Sequence, residues 1–144
     1  MIQPIGLLGS GVPVIYPTTI EYSALAESGF SSTGAVATDA TIALGWKPTD
    51  VDTTYPLCDP TNHYLLTIRK VGTTVTVWKQ DIEVGSYTTS ATTYAGLLAE
   101  ALTEYAGSTA GYVSRLIIVE SALDYTTFYR QSSSVPGLWV PKTL

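Results

Sequence analysis

The sequence predicts a mainly β protein: an antiparallel β-sandwich or jelly roll with one short α-helix near residues 94–106. Three observations predict it. The stretch "HYLLTIRKVGTTVTVWKQ" holds two alternating, β-branched runs across a glycine turn. Only one segment has a convincing helical period, with Tyr94, Leu97, Leu98, Ala101, Leu102 and Tyr105 spaced along a single face. Finally, "GYVSRLIIVESALD" is nearly continuous and apolar over 113–119, as suits a strand with neighbours on both sides.

Taken in order, residues 1–17 carry Pro4, Pro13 and Pro17 among Gly6, Gly9 and Gly11, which prevents a helix and confines any strand to an edge. Yet Ile2, Ile5, Leu7, Leu8, Val12, Val14, Ile15 and Tyr16 are costly to leave in water. An extended arm laid on its own domain or on a neighbouring subunit satisfies both constraints. A disordered tail does not, because it leaves that apolar surface wet. The chain therefore divides into an N-terminal arm, 1–17, and a single β-sandwich domain, 18–144.

From Thr18, the alternation of Ile20, Tyr22 and Ala24 with Glu21 and Ser23 predicts a half-buried strand. A loop over 29–34 leads to an apolar stretch over 36–46, and 47–60 reads as mostly loop, with Pro48, Pro56 and Pro60 among its aspartates. The hairpin places Tyr64, Leu66 and Ile68 on one face and Leu65, Thr67 and Arg69 on the other, with a turn at Val71 and Gly72. On its second arm Val75 and Val77 alternate with Thr74, Thr76 and Trp78. Thr92 or Thr93 caps the helix, Gly107 supplies its left-handed end, and Glu100 and Glu104 fall outside the apolar stripe.

Composition narrows the function. Charged residues are 13% of the 144-residue chain, against about 25% in ordinary soluble domains. Thr, Ser and Gly take their place, and such a surface suits packing among neighbours better than steering ligands by field. A net charge of −5 argues against binding nucleic acid, and Arg69, Lys70 and Lys79, the nearest thing to a basic cluster, read as solvated. No apolar run is long enough for a membrane span. The first basic residue is Lys47, so the N-terminus lacks the charged region of a signal peptide, and a cytoplasmic origin is expected.

Candidate chemistry is sparse. His63 is the only histidine and stands at a strand entrance, where a structural or solvent-facing role is the usual one. Cys58, the only cysteine, excludes an internal disulfide, and Cys58 with Asp59 and His63 falls short of the four N or S ligands of structural zinc. Asp50, Asp52 and Asp59 offer oxygens for calcium but lack EF-hand spacing, and aspartates favour loops for turn chemistry alone. The "GSG" of residues 9–11 lacks the spacing and context of a nucleophile elbow. No pair of carboxylates is marked for glycoside hydrolysis. Trp46, Trp78 and Trp139 could stack on a sugar, although large aromatics in β proteins more often serve core or interface. These residues predict neither an enzyme, a cofactor nor a metal.

Within residues 111–142, Gly111 and Tyr112 make a Gly-aromatic pair at a strand opening, and Ala122, Leu123 and Asp124 an Ala-Leu-Asp turn. Phe128 is an aromatic after a short helical turn, and Gly137, Trp139, Val140, Pro141 and Lys142 form a Gly-x-Trp-Val-Pro-Lys run. In order and spacing these resemble the end of a known family, the laminin-G-like (concanavalin-like) jelly rolls of tailed-bacteriophage virion proteins, in which the Gly-aromatic pair opens the last strand. With the hairpin included, the resemblance covers about residues 63–142. It departs from the family in its N-terminal half, in the helix that replaces strand and loop, and at Arg115 and Leu116, where a small and an acidic residue are common. It therefore implies a trimmed jelly roll with no active site carried over.

What the resemblance implies is a non-enzymatic virion structural protein, assembled in the host cytoplasm. Short length, low charge and the apolar arm favour a capsid decoration or cement protein. Its partners would be its own copies, a trimer being favoured, and other virion proteins such as the major capsid protein. The arm residues Ile2, Ile5, Leu7, Leu8, Val14, Ile15 and Tyr16 would make the contacts, and Trp139, Val140 and Pro141 would dock the tail on the sandwich or on a partner. A tail- or head-fibre adhesin binding host glycan is the alternative, favoured if Trp46 or Trp78 lies exposed beside a polar cleft. A docked Trp139 predicts a loss of about 2–4 kcal/mol in Trp139→Ala.

Overall fold

The computed structural model describes residues 14–16, 20–27, 35–50, 52, 54–58 and 64–142. In chain order the elements are β1 (Val14–Tyr16), β2 (Ile20–Glu21), α1 (Tyr22–Glu27), β3 (Asp39–Pro48) and β4 (Tyr64–Val71). There follow β5 (Thr74–Lys79), β6 (Ile82–Thr88), α2 (Tyr94–Ala106), β7 (Gly111–Val119), a 3-10 turn (Tyr125–Thr127), β8 (Tyr129–Gln131) and β9 (Trp139–Pro141). The protein is mainly β and antiparallel, as predicted. Strands β3 to β6 form a meander, and the chain then crosses through α2 to lay β7 beside β3. The short strands β1 and β2 both pair with the outer edge of β7. Among the described residues, a second sheet consists of β8 and β9.

Alternation along the strands gives the main sheet two apolar faces. On one, Ile42, Leu44 and Trp46 of β3, Leu66 and Ile68 of β4, and Val75 and Val77 of β5 pack with Leu97, Leu98, Ala101 and Leu102 of α2. On the other, Ala43, Ile117 and Val119 meet Phe128 and Tyr129. The two sheets thus enclose a small core of their own, while α2 covers the opposite side.

Helix α2 has the predicted ends. Thr93 Oγ1 accepts from the Gly96 N–H at 3.0 Å, and Gly107 takes φ +70° with its N–H on Thr103 O. In the hairpin, Val71 pairs with Thr74, so the loop is Gly72 and Thr73, one residue later than expected. Gly72 has φ +60°, as the II′ type of two-residue loop requires at its first position.

Three expectations are corrected. The predicted strand from Thr18 stops at Glu21, and Tyr22–Glu27 is helical. Leu25 is buried and Tyr22 packs beside the same core, an i, i+3 spacing that alternation had hidden. Strand β3 continues through Lys47 and Pro48, which pair with Tyr112 and Gly111, so the following loop begins later. Lys70 is not solvated: it is only 7% exposed, and its Nζ donates to Ala37 O (2.7 Å) and Thr38 O (2.9 Å).

Strand β7 explains its own unbroken apolar run. Its register against β3 slips between Ala43 and Gly45, and Arg115 there adopts φ +47°. The bulge admits one extra residue, so Val113 and Leu116 both face α2 while Ile117 turns to the other side. Gly45 stands opposite Ser114, whose hydroxyl occupies the place a Cβ would need.

Candidate interaction site

The segment after β7 builds the most distinctive surface. The 3-10 turn delivers Phe128 and Tyr129 into the second core, and β8 then pairs with β9 through Tyr129–Pro141, Arg130–Val140 and Gln131–Trp139. Lys142 closes the unit. Its N–H donates to Phe128 O (2.7 Å), its Nζ reaches Thr126 O, and its carbonyl accepts from the Arg115 guanidinium at 2.9 Å. The side chain at the β7 bulge therefore ties the tail to the main sheet.

Between β8 and β9 the chain forms a hydrogen-bonded tip. Ser132 N donates to Leu138 O at 2.7 Å, and Ser132 Oγ accepts from Ser134 N (3.2 Å) and Val135 N (3.1 Å). Gly137 has φ +80°, a conformation other residues adopt only with strain. The result is an ordered loop that holds Val135 (50% exposed) and Leu138 (43% exposed) in water, with Pro136 exposed between them. Neither residue belongs to a periodic run or a motif in the sequence. Their signal was present: apolar side chains in a Ser/Pro/Gly turn, where nothing in the fold demands them.

The tail residues fall beside this tip. Trp139, Val140 and Pro141 are half-buried in β9. Trp139 meets Tyr125 edge-on at 5.2 Å between centroids, and Tyr125 lies 6.4 Å from Trp78. The Arg69 guanidinium sits 4.6 Å above the Trp78 ring. Trp139 therefore packs on its own domain at the rim of the second core. Being half-buried, it should lose about 1–3 kcal/mol on Trp139→Ala, measured by urea unfolding, less than full burial would give. A neutral substitution would mean that the ring contributes nothing to docking the tail.

Of the arm residues, Val14, Ile15 and Tyr16 form β1, with backbone partners Ile118, Ile117 and Leu116. Ile2, Ile5, Leu7 and Leu8 lie outside the described residues, as do His63 and Asp59. The remaining candidates are scattered. Cys58 is buried with Sγ on Asp50 O at 3.1 Å, and burial pushes its thiol pKa up, away from nucleophilic use. Asp52 accepts from Thr54 N (3.1 Å) and Thr54 Oγ1 (2.6 Å), bonds that hold its carboxyl below the usual range and close a local turn. No group of three metal-ligating side chains occurs among the described residues.

Trp46 is wholly buried, with its indole N–H on Leu57 O at 3.2 Å, and Trp78 is 9% exposed. Two recesses open on the surface. One, of about 510 Å³, is lined by Glu21, Tyr22, Thr49 and residues 108–112. The other, of about 430 Å³, lies beside Lys70, Thr73 and residues 89–92. Beside the second, the Thr89 hydroxyl donates to the Glu100 carboxylate, and Thr89 Oγ1 accepts from Ala91 N at 3.0 Å, so the pair closes the turn into α2. Among the described residues no helix is long and apolar enough to cross a membrane. No protein-family model, curated protein or solved structure matches this chain.

Proposed function

We propose that this protein is a non-enzymatic structural component of a tailed-bacteriophage virion, a capsid decoration or cement protein. It would assemble in the host cytoplasm on the major capsid protein and on its own copies, as a trimeric cluster through the arm. The observation that carries the reading is the β8–β9 tip. Val135 and Leu138 are held exposed by hydrogen bonds and by a tail anchored at Lys142. Apolar side chains held in one geometry in water suit an interaction surface, since their rigidity would lower the entropic cost of docking. The weakly charged surface and the resemblance over residues 111–142 supply the virion context.

The glycan-binding alternative asked for Trp46 or Trp78 exposed beside a polar cleft. Both are buried, so no observation favours that reading.

The test is cosedimentation with shells assembled from the major capsid protein of the same genome, together with copy counting in virions by quantitative mass spectrometry. Wild-type protein should pellet with shells and be present in hundreds of copies, and a Val135→Asp/Leu138→Asp variant should stay in the supernatant with an unchanged circular-dichroism spectrum. A dozen copies or fewer would place the chain in the tail or a fibre, and absence from virions would overturn the proposal.

A further inference from the structure

The main sheet treats its two edges differently. The β7 edge is covered by β1 and β2, whereas β6 has β5 on one side and no strand on the other among the described residues. An open edge is a template for another strand, and proteins that must stay monomeric blunt it with charge, proline, brevity or a bulge. Strand β6, "IEVGSYT", has no lysine or proline, and its bulge and its one charge lie at the Glu83–Val84 end, which leaves Gly85 to Thr88 regular. It is seven residues long, its only charge is Glu83, and every one of its residues is exposed or half-exposed, with Ile82 at 60%.

The ladder shows which backbone groups face outward. Thr89 N donates to Thr73 O at 2.8 Å, which makes the next pair, Thr74–Thr88, a non-hydrogen-bonded one. Alternation makes Val75–Tyr87 bonded and Thr76–Ser86 non-bonded. The N–H and C=O groups of Ser86 and Thr88 therefore point away from β5.

We propose that β6 pairs antiparallel with β6 of a second copy of this chain, across a two-fold axis through Ser86. Two constraints set that register. Paired residues must lie on the same face, which restricts the axis to a residue rather than a gap between two. The regular edge runs from the bulge at Val84 to Thr88, beyond which Thr89 turns in to Thr73, and its midpoint is Ser86. With Ser86 on the axis, the two Ser86 residues exchange both backbone hydrogen bonds, and Thr88 of each copy bonds near Val84 of the other. Glu83 then lies at opposite ends of the contact in the two copies, so the single charge of the strand never faces itself. The side chain of Ser86 is exposed and small, which lets the strands close. The product is one continuous antiparallel sheet with α2 of both copies on the same side, an isologous contact independent of any cluster formed through the arm.

Two variants of the full chain test this, read by light scattering across a dilution series and by non-reducing gel. Ser86→Lys sets two ammonium groups together at the axis and should halve the apparent mass with an unchanged circular-dichroism spectrum. Ser86→Cys should form an interchain disulfide under mild oxidation, because bonded antiparallel partners stand about 5.5 Å apart at Cα, within disulfide reach. Thr74→Cys, one strand further in, should not cross-link. A wild-type protein that is monomeric throughout the series, or whose mass Ser86→Lys leaves unchanged, overturns the pairing. Dissociation by Ser86→Lys with no cross-link in Ser86→Cys overturns it equally, since the edge would then be holding some other segment.

Discussion

Trp46→Ala is expected to lower the unfolding free energy by about 3–5 kcal/mol, the range for removing a wholly buried large aromatic. Trp46 stands near the end of β3, where three elements meet. Its ring closes on the backbone of Gly111 at the start of β7, where an added Cβ would lie 2.5 Å from it. Its indole N–H donates to Leu57 O at 3.2 Å, and this fixes the loop after β3. The substitution therefore opens a cavity and leaves a buried carbonyl without its donor. A domain of this size has a total of only about 5–15 kcal/mol to lose. Trp46→Phe separates the two contributions. It keeps most of the volume and loses the hydrogen bond, for an expected cost of about 1–2 kcal/mol. Urea unfolding followed by far-ultraviolet circular dichroism measures both. A cost below about 1 kcal/mol for the alanine variant would mean that Trp46 is not at the centre of this junction.

Much of the fold was legible because local pattern and tertiary demand agree. Helix α2 has a full apolar stripe and both caps, and the hairpin of β4 and β5 has clean alternation with a glycine loop, so each element specifies itself. The misses occur where one pattern serves two purposes. Tyr22 and Ala24 fit a strand by alternation, yet Leu25 is the side chain the core takes, and that requires a helical turn. Lys70 reads as solvent-facing by residue type, but its position on the helix-side face of β4 buries it, and two backbone carbonyls replace the water it gives up. In β7 the continuous apolar run was legible as doubly flanked, while the bulge at Arg115 was not. An arginine with positive φ has no sequence signature, and the switch of faces follows from it.

The candidate site was legible in half. Trp139 and the prolines mark the tail in the sequence, and the tail is an ordered strand of the second sheet. The exposed residues next to it did not, because single apolar residues in loops are ordinary and only their fixed geometry distinguishes Val135 and Leu138. The open edge of β6 was invisible for a different reason. Whether a strand has one neighbour or two depends on where the chain places the others, and its own alternation does not record that.

Phe128→Ala should be the second severe loss, about 3–5 kcal/mol, because Phe128 is fully buried where the small sheet meets the large one. Its neighbour explains why this contact is so close. The Tyr129 hydroxyl lies 3.0 Å from Leu44 O and 2.8 Å from Leu66 O, carbonyls of paired residues on adjacent strands. A side chain reaches strand backbone from above only where the surface is low, and on this face β3 offers Ala43 and Gly45. Burial holds the Tyr129 hydroxyl far above the usual tyrosine pKa, so it stays protonated and its single hydrogen is shared between those two carbonyls. Tyr129→Phe should therefore cost about 1–2 kcal/mol while leaving the packing in place. The two variants should also differ in hydrogen exchange. Tyr129→Phe should keep the amides of β8 and β9 protected, whereas Phe128→Ala should release them at temperatures where β3 and β4 remain protected. Since among the described residues the Val135–Leu138 tip is anchored through this hairpin and Lys142, Phe128→Ala should then abolish shell binding under the same conditions. Retained binding with unprotected β8 and β9 amides would separate the tip from the interaction and remove the observation on which the functional proposal rests.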